Sequence, residues 1–300
     1  MLSVCIPVYN VNVSKLVSAL LEQVELLGEP CEIILIDDHS ELRFADINKG
    51  LASDNVKYHF LAENIGRAKI RNLFLKYAQY EYLLFLDCDS EIVRNDFLAK
   101  YMEELKKGSK VVCGGRIYSD VVPPKSIRLH WKYGRTIESQ PVSVRQMHPN
   151  ASFMTNNFAI EKRVFQEVKL NELLEGYGHE DTLFGYDLKS RNIIVKHIDN
   201  PVLHAELNSN RVFMENTESA LRNLVKVCEF MNYNAEFMNE VKLLRAYSSL
   251  KKKGMLFFIR ISFAIKHPLA RLMLVSGIAN MLLFNYYKLG YFSRVIARSK

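Results

Sequence analysis

The chain has 300 residues, 49% hydrophobic and 24% charged, a balance that suits a folded protein with a sizeable core and argues against a disordered one. Its five cysteines (Cys5, Cys31, Cys88, Cys113, Cys228) are scattered with no Cys-x-x-Cys pair, which excludes a disulfide framework or zinc ribbon and fits reduced thiols. The net charge of +7 is unevenly spread: residues 241–300 hold 12 Lys/Arg and no Asp or Glu, leaving 28 Lys/Arg against 33 Asp/Glu in the first 240. The acidic first 240 residues argue against nucleic acid as a partner, whereas the basic tail seeks an anionic one.

In chain order, residues 2–8 read as a short apolar strand broken by Pro7, and residues 13–27 carry Leu and Val at helical spacing. Because Met1-Leu2-Ser3-Val4 already opens that strand, no signal peptide is expected and the site should face the cytoplasm. A second apolar strand, 31–36, ends on Asp37-Asp38-His39-Ser40, and a third spans 55–60. Residues 66–80 form a helix with Ala68, Ile70, Leu73, Phe74 and Tyr77 on one face. Strand 81–86 then runs into Asp87-Cys88-Asp89. Helix 97–107 and strand 110–118, with Gly114-Gly115 at a close approach, follow. Residues 121–150, punctuated by Pro123-Pro124, Pro141 and Pro149, read as a long, partly ordered loop. A strand over 151–160 and a helix over 162–167 precede the turn Gly176-Tyr177-Gly178. That turn opens a helix whose first turn holds Glu180 and Asp181, a favoured place for carboxylates. Short strands at 193–198 and 202–204 complete this part.

Alternating strands and helices with short connections predict an α/β architecture, a mostly parallel sheet with flanking helices, whose ligands bind at the carboxyl ends of the strands. Tyr9-Asn10, Asp37-Asp38 and Asp87-Cys88-Asp89 all fall at such ends. Strand side chains alternate, so Asp87 and Asp89 are expected on one side and Cys88 on the other. Two carboxylates there make a doubly negative corner suited to a hard divalent cation that also carries a substrate's phosphates.

The tail is a helical, basic C-terminal appendage. Lys251-Lys252-Lys253 precedes an apolar stretch at 255–265, and after Pro268 comes another at 272–287. Neither reaches the roughly 20 apolar residues needed to span a bilayer. A basic, aromatic-rich amphipathic stretch suits peripheral contact with an anionic membrane, at the inner face of the cell membrane.

Five segments in order, 3–10 (Ser3-Val4-Cys5-Ile6-Pro7-Val8-Tyr9-Asn10), 36–40 (Ile36-Asp37-Asp38-His39-Ser40), 64–72 (Asn64-Ile65-Gly66-Arg67-Ala68-Lys69-Ile70-Arg71-Asn72), Asp87-Cys88-Asp89 and Gly178-His179-Glu180-Asp181, resemble the family 2 glycosyltransferases of the nucleotide-sugar-binding GT-A fold. The resemblance covers roughly residues 1–205. It implies a glycosyltransferase domain over 1–210, with a nucleotide-binding half (1–115) and an acceptor half (116–210), followed by the helical region 211–300. It also implies that Pro7 and Tyr9 lie against the nucleobase, that Asp38 accepts from the base imide, and that Arg71 approaches base or diphosphate. Asp87 and Cys88 would contact the nucleotide sugar. Asp89 and Asp87, with His204 as a third ligand, would hold Mn²⁺ or Mg²⁺ on the diphosphate. Asp181 resembles the general base of an inverting displacement, assisted by Glu180. The implied donor is a nucleotide sugar, a UDP-sugar first, and the acceptor a glycan or lipid-linked saccharide in cell-surface polysaccharide synthesis. Trp131 could stack on a sugar face, and His179 could touch substrate.

Other chemistries compete. An Asp-x-Asp phosphatase would place its carboxylate pair after the first strand, not at residue 87. A nucleotidyltransferase would need a Gly-rich, Lys/Arg-bearing N-terminal loop, which this sequence lacks. A non-catalytic nucleotide-sugar binder would share the same donor residues.

Overall fold

The structure, a computed structural model, describes residues 1–174 and 176–299. The chain alternates β1 (Leu2–Val8), α1 (Ser14–Leu27), β2 (Cys31–Asp37), α2 (Leu42–Lys49), β3 (Val56–Phe60), α3 (Arg67–Tyr77) and β4 (Tyr82–Leu86). Then come β5 (Ser90–Ile92), α4 (Phe97–Lys106), β6 (Val111–Cys113), β7 (Arg116–Ile117), a 3₁₀ turn (Lys125–Ile127), α5 (Arg128–Tyr133), a π-helical turn (Gly134–Glu138) and α6 (Val142–Met147). β8 (Asn157–Glu161), α7 (Lys162–Val168), α8 (Glu180–Ser190), β9 (Lys196–His197) and β10 (Val202–His204) follow. The chain closes with α9 (Asn210–Phe230), α10 (Ala235–Glu240), α11 (Lys242–Lys252), α12 (Leu256–Val275) and α13 (Met281–Arg298). Two compact units emerge: residues 1–119, 138–173 and 180–206 in one, and the described residues of 120–137, 174–179 and 207–299 in the other.

The first unit is built on a seven-stranded sheet ordered β3-β2-β1-β4-β8-β6-β9. β1 runs parallel to β2 and β4, whereas β8 runs antiparallel to β4 and β6. Val4, Ile6 and Val8 point into a layer with Leu16 and Leu20 of α1 and Phe97 and Leu98 of α4. Cys5, Ile34, Ile36 and Phe85 point the other way, onto Phe74 of α3, Phe165 of α7 and Phe184 of α8. Burial on both faces is why these strands read as unbroken apolar runs. The chain winds outward from β1 through β2 to β3, then returns to β4 on the opposite flank of β1. That reversal opens a crevice at the carboxyl ends of β1 and β4. A second, three-stranded sheet, β5-β10-β7, pairs Ser90 with His204 and Val202 with Arg116.

Several expectations are corrected. β1 continues through Pro7, because the last β1–β4 pair is Cys5 with Phe85 and the missing N–H falls beyond that ladder. Residues 121–150 are largely helical: Pro124 and Pro141 occupy the N-cap positions of the 3₁₀ turn and of α6, so they start helical segments instead of blocking them. The predicted strand 110–118 splits into β6 and β7 of different sheets. A Cβ on Gly114 would lie 2.3 Å from the Asn200 carbonyl oxygen, so only glycine fits where the chain changes sheet. The predicted strand 151–160 begins only at Asn157.

In the second unit, Leu129, Phe213 and Met214 pack with Phe263 and Leu274 of α12 and Phe284 and Tyr287 of α13. α12 runs through Pro268. The Ala264 carbonyl, deprived of the residue-268 N–H, meets the His267 ring Nδ1 at 3.2 Å instead. Among the described residues, no helix is long and apolar enough to cross a membrane.

Candidate functional site

The carboxyl ends of β1 and β2 are tied together: the Asp38 N–H donates to the Val8 carbonyl at 2.8 Å. Asp37 is a fully buried brace that accepts from the Ser40 N–H (2.7 Å) and the Tyr58 hydroxyl (2.9 Å). Asp38 accepts from the Ile65 N–H at 2.7 Å and the Gly66 N–H at 3.1 Å. Its carboxylate therefore caps α3 from a neighbouring strand, and Gly66 takes φ +84° to present the amides. Burial pushes the Asp38 carboxyl up, and those two amides pull the other way. Two of its roughly four acceptor directions are used, so it can accept further. Pro7 is partly buried at the end of β1 and Tyr9 is half exposed beside it.

The acidic triplet is a turn and not a strand continuation. β4 stops at Leu86, and the Ser90 N–H closes onto the Asp87 carbonyl at 3.1 Å. Period-two alternation ends there, so the two carboxylates diverge to different partners. Asp87 accepts from Arg71 Nη2 at 2.5 Å, and Arg71 is buried with its Nη1 on the Arg67 carbonyl. Burial drives the Asp87 carboxyl up, but Arg71, Arg67 and Arg116 outweigh it and hold it below the usual range. Arg71, expected near base or diphosphate, pairs one guanidinium nitrogen with Asp87. Asp89 instead sets Oδ2 3.4 Å from His204 Nδ1, because antiparallel β5–β10 pairing lays His204 opposite Ser90. Cys88 packs on the apolar layer beneath, where burial pushes its thiol up to about 12.

The third acidic group lies at the start of α8. Glu180 is buried and accepts from Arg67 Nε at 2.8 Å. Burial raises its carboxyl, but Arg67 and Arg71 more than compensate and it stays low. Asp181 is pushed to about 6 by burial and then by the charge of Glu180. Its Oδ1 accepts from the Thr182 N–H at 2.7 Å, while among the described residues no hydrogen bond engages Oδ2. Adjacent carboxylates driven apart in this way are one ionised group and one poised near neutrality.

Sequence reasoning missed Arg116 and Glu138, and it gave Arg67 no role of its own. Arg116 pairs with Glu138 at 3.2 Å, and Tyr118 donates to the same carboxylate. The charges of Arg67 and Arg116 reach both Asp87 and Asp181, so the triplet and the α8 carboxylates belong to one cluster. Arg67 had a visible signal, one helical turn before Arg71. Arg116 had none, since only β7–β10 pairing places it. Trp131 belongs to the second unit, where it is buried with the Arg135 guanidinium 5.5 Å from its ring. In the same unit, His179 holds a left-handed φ of +69°, and the Gly178 preceding it lies against Ala220.

Asp89 and His204 are the residues that fit a divalent cation. Asp89 Oδ1 is buried and has no hydrogen-bond partner among the described residues, an arrangement costly unless a ligand completes it. Among the described residues, no three His, Cys, Asp or Glu side chains converge. Two protein donors with the remaining positions left to phosphate oxygens and water match how Mg²⁺-type ions are held on phosphorylated substrates.

The family model described as Glycosyl transferase family 2 matches residues 3–168. An uncharacterized glycosyltransferase of Haemophilus influenzae is 32% identical over 117 residues, 38% of this chain and 46% of that protein. One of Rickettsia bellii is 32% identical over 104 residues, 34% of this chain and 15% of that protein. The matched stretches are thus less than half the length of either relative. Among solved structures, mannosyltransferase PcManGT from Pyrobaculum calidifontis, in complex with GDP-Man and Mn²⁺, aligns with TM-score 0.56 at 14% identity, covering 99% of this chain and 86% of that one. S. aureus TarS 1–349 aligns with TM-score 0.50 at 17% identity, covering 99% and 90%. Both share the fold.

Proposed function

This chain belongs to glycosyl transferase family 2, and from that premise we propose that it moves a glycosyl group from a nucleotide-diphosphate sugar to an acceptor hydroxyl by inversion. The observation that carries the reading is the division of labour among carboxylates at one sheet edge. Asp87 and Glu180 are neutralised by arginines, Asp89 keeps beside His204 a buried oxygen with no partner among the described residues, and Asp181 is poised at about 6.

Tyr9 and Pro7 offer ring surface to a nucleobase, and Asp38, set by the α3 amides, accepts from its imide. Asp89 and His204 would hold a divalent cation, Mn²⁺ or Mg²⁺, which when bound offsets charge on the departing nucleoside diphosphate. That the fold neighbour PcManGT is seen with GDP-Man and Mn²⁺ supports this donor class and metal. Asp181 takes the proton from the acceptor hydroxyl as its oxygen bonds to the anomeric carbon and the bond to the diphosphate oxygen breaks. A base near 6 is mostly ionised at neutral pH yet basic enough to share the proton. Arg67 keeps Glu180 charged, and that charge keeps Asp181 basic. Asp87, locked to Arg71, is a poor nucleophile, which disfavours the phosphatase reading. The acceptor we propose is a glycan or lipid-linked saccharide, reached from the cytoplasmic face of the membrane, with a UDP-sugar as the first donor to test.

The test incubates the protein with Mn²⁺ and a panel of nucleotide sugars and follows nucleoside diphosphate release with and without glycan acceptors. Asp181→Asn is expected to retain donor binding and lose transfer. Failure to bind any nucleotide sugar, or transfer that survives Asp181→Asn, overturns the reading.

A further inference from the structure

A surface helix normally buries its apolar stripe and shows its polar face to water. α12 has apolar groups on both sides. Phe263, Ala270 and Leu274 face its own unit. Phe257, Phe258, Ile261, Ile265, Leu269 and Leu272 face solvent, between 45% and 74% exposed. At about 100° per residue these six share an arc of about 120°, and the stripe runs about 22 Å along the helix. Single exposed apolar residues are ordinary, but a continuous aromatic and aliphatic stripe marks an interaction surface.

The charges around the stripe say what covers it. Arg260 and Arg271 are committed inside the unit, to the Ser293 carbonyl and to Glu218. Lys251, Lys252 and Lys253, at the end of α11, and Lys266, on α12, are exposed, and among the described residues none has an ion-pair partner. Residues 241–300 contain no acidic side chain that could answer them. A second copy meeting this face with its own residues 241–300 would bring 12 further cations and no anionic side chain, which like-charge repulsion opposes. A phosphodiester polymer would satisfy the lysines and leave the stripe in water. An anionic lipid surface satisfies both, taking up apolar side chains to the depth of the headgroup boundary while lysines meet phosphates.

We propose that the outward face of α12, with Lys251, Lys252, Lys253 and Lys266, docks this protein flat on an anionic bilayer surface without crossing it. This goes beyond the transfer chemistry and does not depend on it.

The full chain is floated with vesicles of phosphatidylcholine plus phosphatidylglycerol, or of phosphatidylcholine alone, with no donor present. The protein is expected to float with the anionic vesicles, and less as salt is raised. Phe258→Ser, Ile265→Ser and Leu269→Ser combined, all at exposed sites, should weaken partitioning at least about tenfold. Replacing Lys251, Lys252 and Lys253 by Gln, which leaves the apolar stripe untouched, should weaken it by about tenfold or more and remove most of the salt dependence. The proposal is overturned if the wild-type protein stays unbound, or if both variants float as it does. It is also overturned if the wild type is a dimer that the serines dissociate and that does not float, since the stripe then serves a second copy.

Discussion

Replacing Glu180 by Gln should move the acid limb of the pH–rate profile downward. An ordinary aspartate titrates near 4, and Asp181 is raised to about 6 by burial and then by the Glu180 charge, opposed by the Thr182 amide and by Arg67 and Arg116. Glutamine keeps the volume and removes the charge. It also frees the Arg67 guanidinium, which is bound to Glu180 at 2.8 Å, to act more strongly on Asp181. Both changes favour the ionised form, while burial is retained. A charge several ångström away across an effective dielectric near 20 or above contributes roughly 1–2 kcal/mol, about one pKa unit. The limb should therefore fall from about 6 to about 5. At pH 5 the ionised fraction would rise from about one tenth to about one half, so the rate at pH 5 relative to each enzyme's own plateau should rise about fivefold. The assay is kcat/KM for nucleoside diphosphate release between mildly acidic and neutral pH, normalised to the plateau so that lost activity does not confuse the comparison. An acid limb that stays in place or moves upward refutes the assignment of Asp181 as the base tuned by Glu180.

Arg71→Met removes the buried guanidinium that pairs with the largely buried Asp87 and should cost about 3 kcal/mol of stability at pH 7 by urea unfolding. Because the folded Asp87 value is depressed, its stabilisation is present above the unfolded aspartate value and drains away as pH falls through the folded one. The gap between wild type and variant should therefore narrow in acid, and a gap that widens refutes the pairing. Gly290→Ala puts a Cβ 2.3 Å from Cδ2 of Phe263, whose ring is fully buried. Although alanine favours a helix by about 1 kcal/mol, overpacking of about 1–3 kcal/mol should lower the thermal midpoint. A raised midpoint would show that α12 and α13 tolerate the added methyl.

The sequence by itself determined the strand–helix alternation of the first half and the placement of Tyr9, Asp38 and the acidic triplet at strand ends. It also located the carboxylates opening α8 and the shift to a basic tail. These are local properties, carried by periodicity, by turn and cap residues and by composition. Only the tertiary structure decided the partners. Arg71 went to Asp87 because the turn after β4 split the triplet's two carboxylates. His204 reached Asp89, and Arg116 joined the cluster, through registers between strands more than 80 residues apart in sequence. Pro124 and Pro141 became helix starts because their missing N–H groups fell where no bond was needed. The apolar residues of the tail divided into a buried face and an exposed one because α9 and α13 cover only one side of α12. No pattern along the chain encodes which side a neighbour will cover, since that depends on packing between segments far apart in sequence.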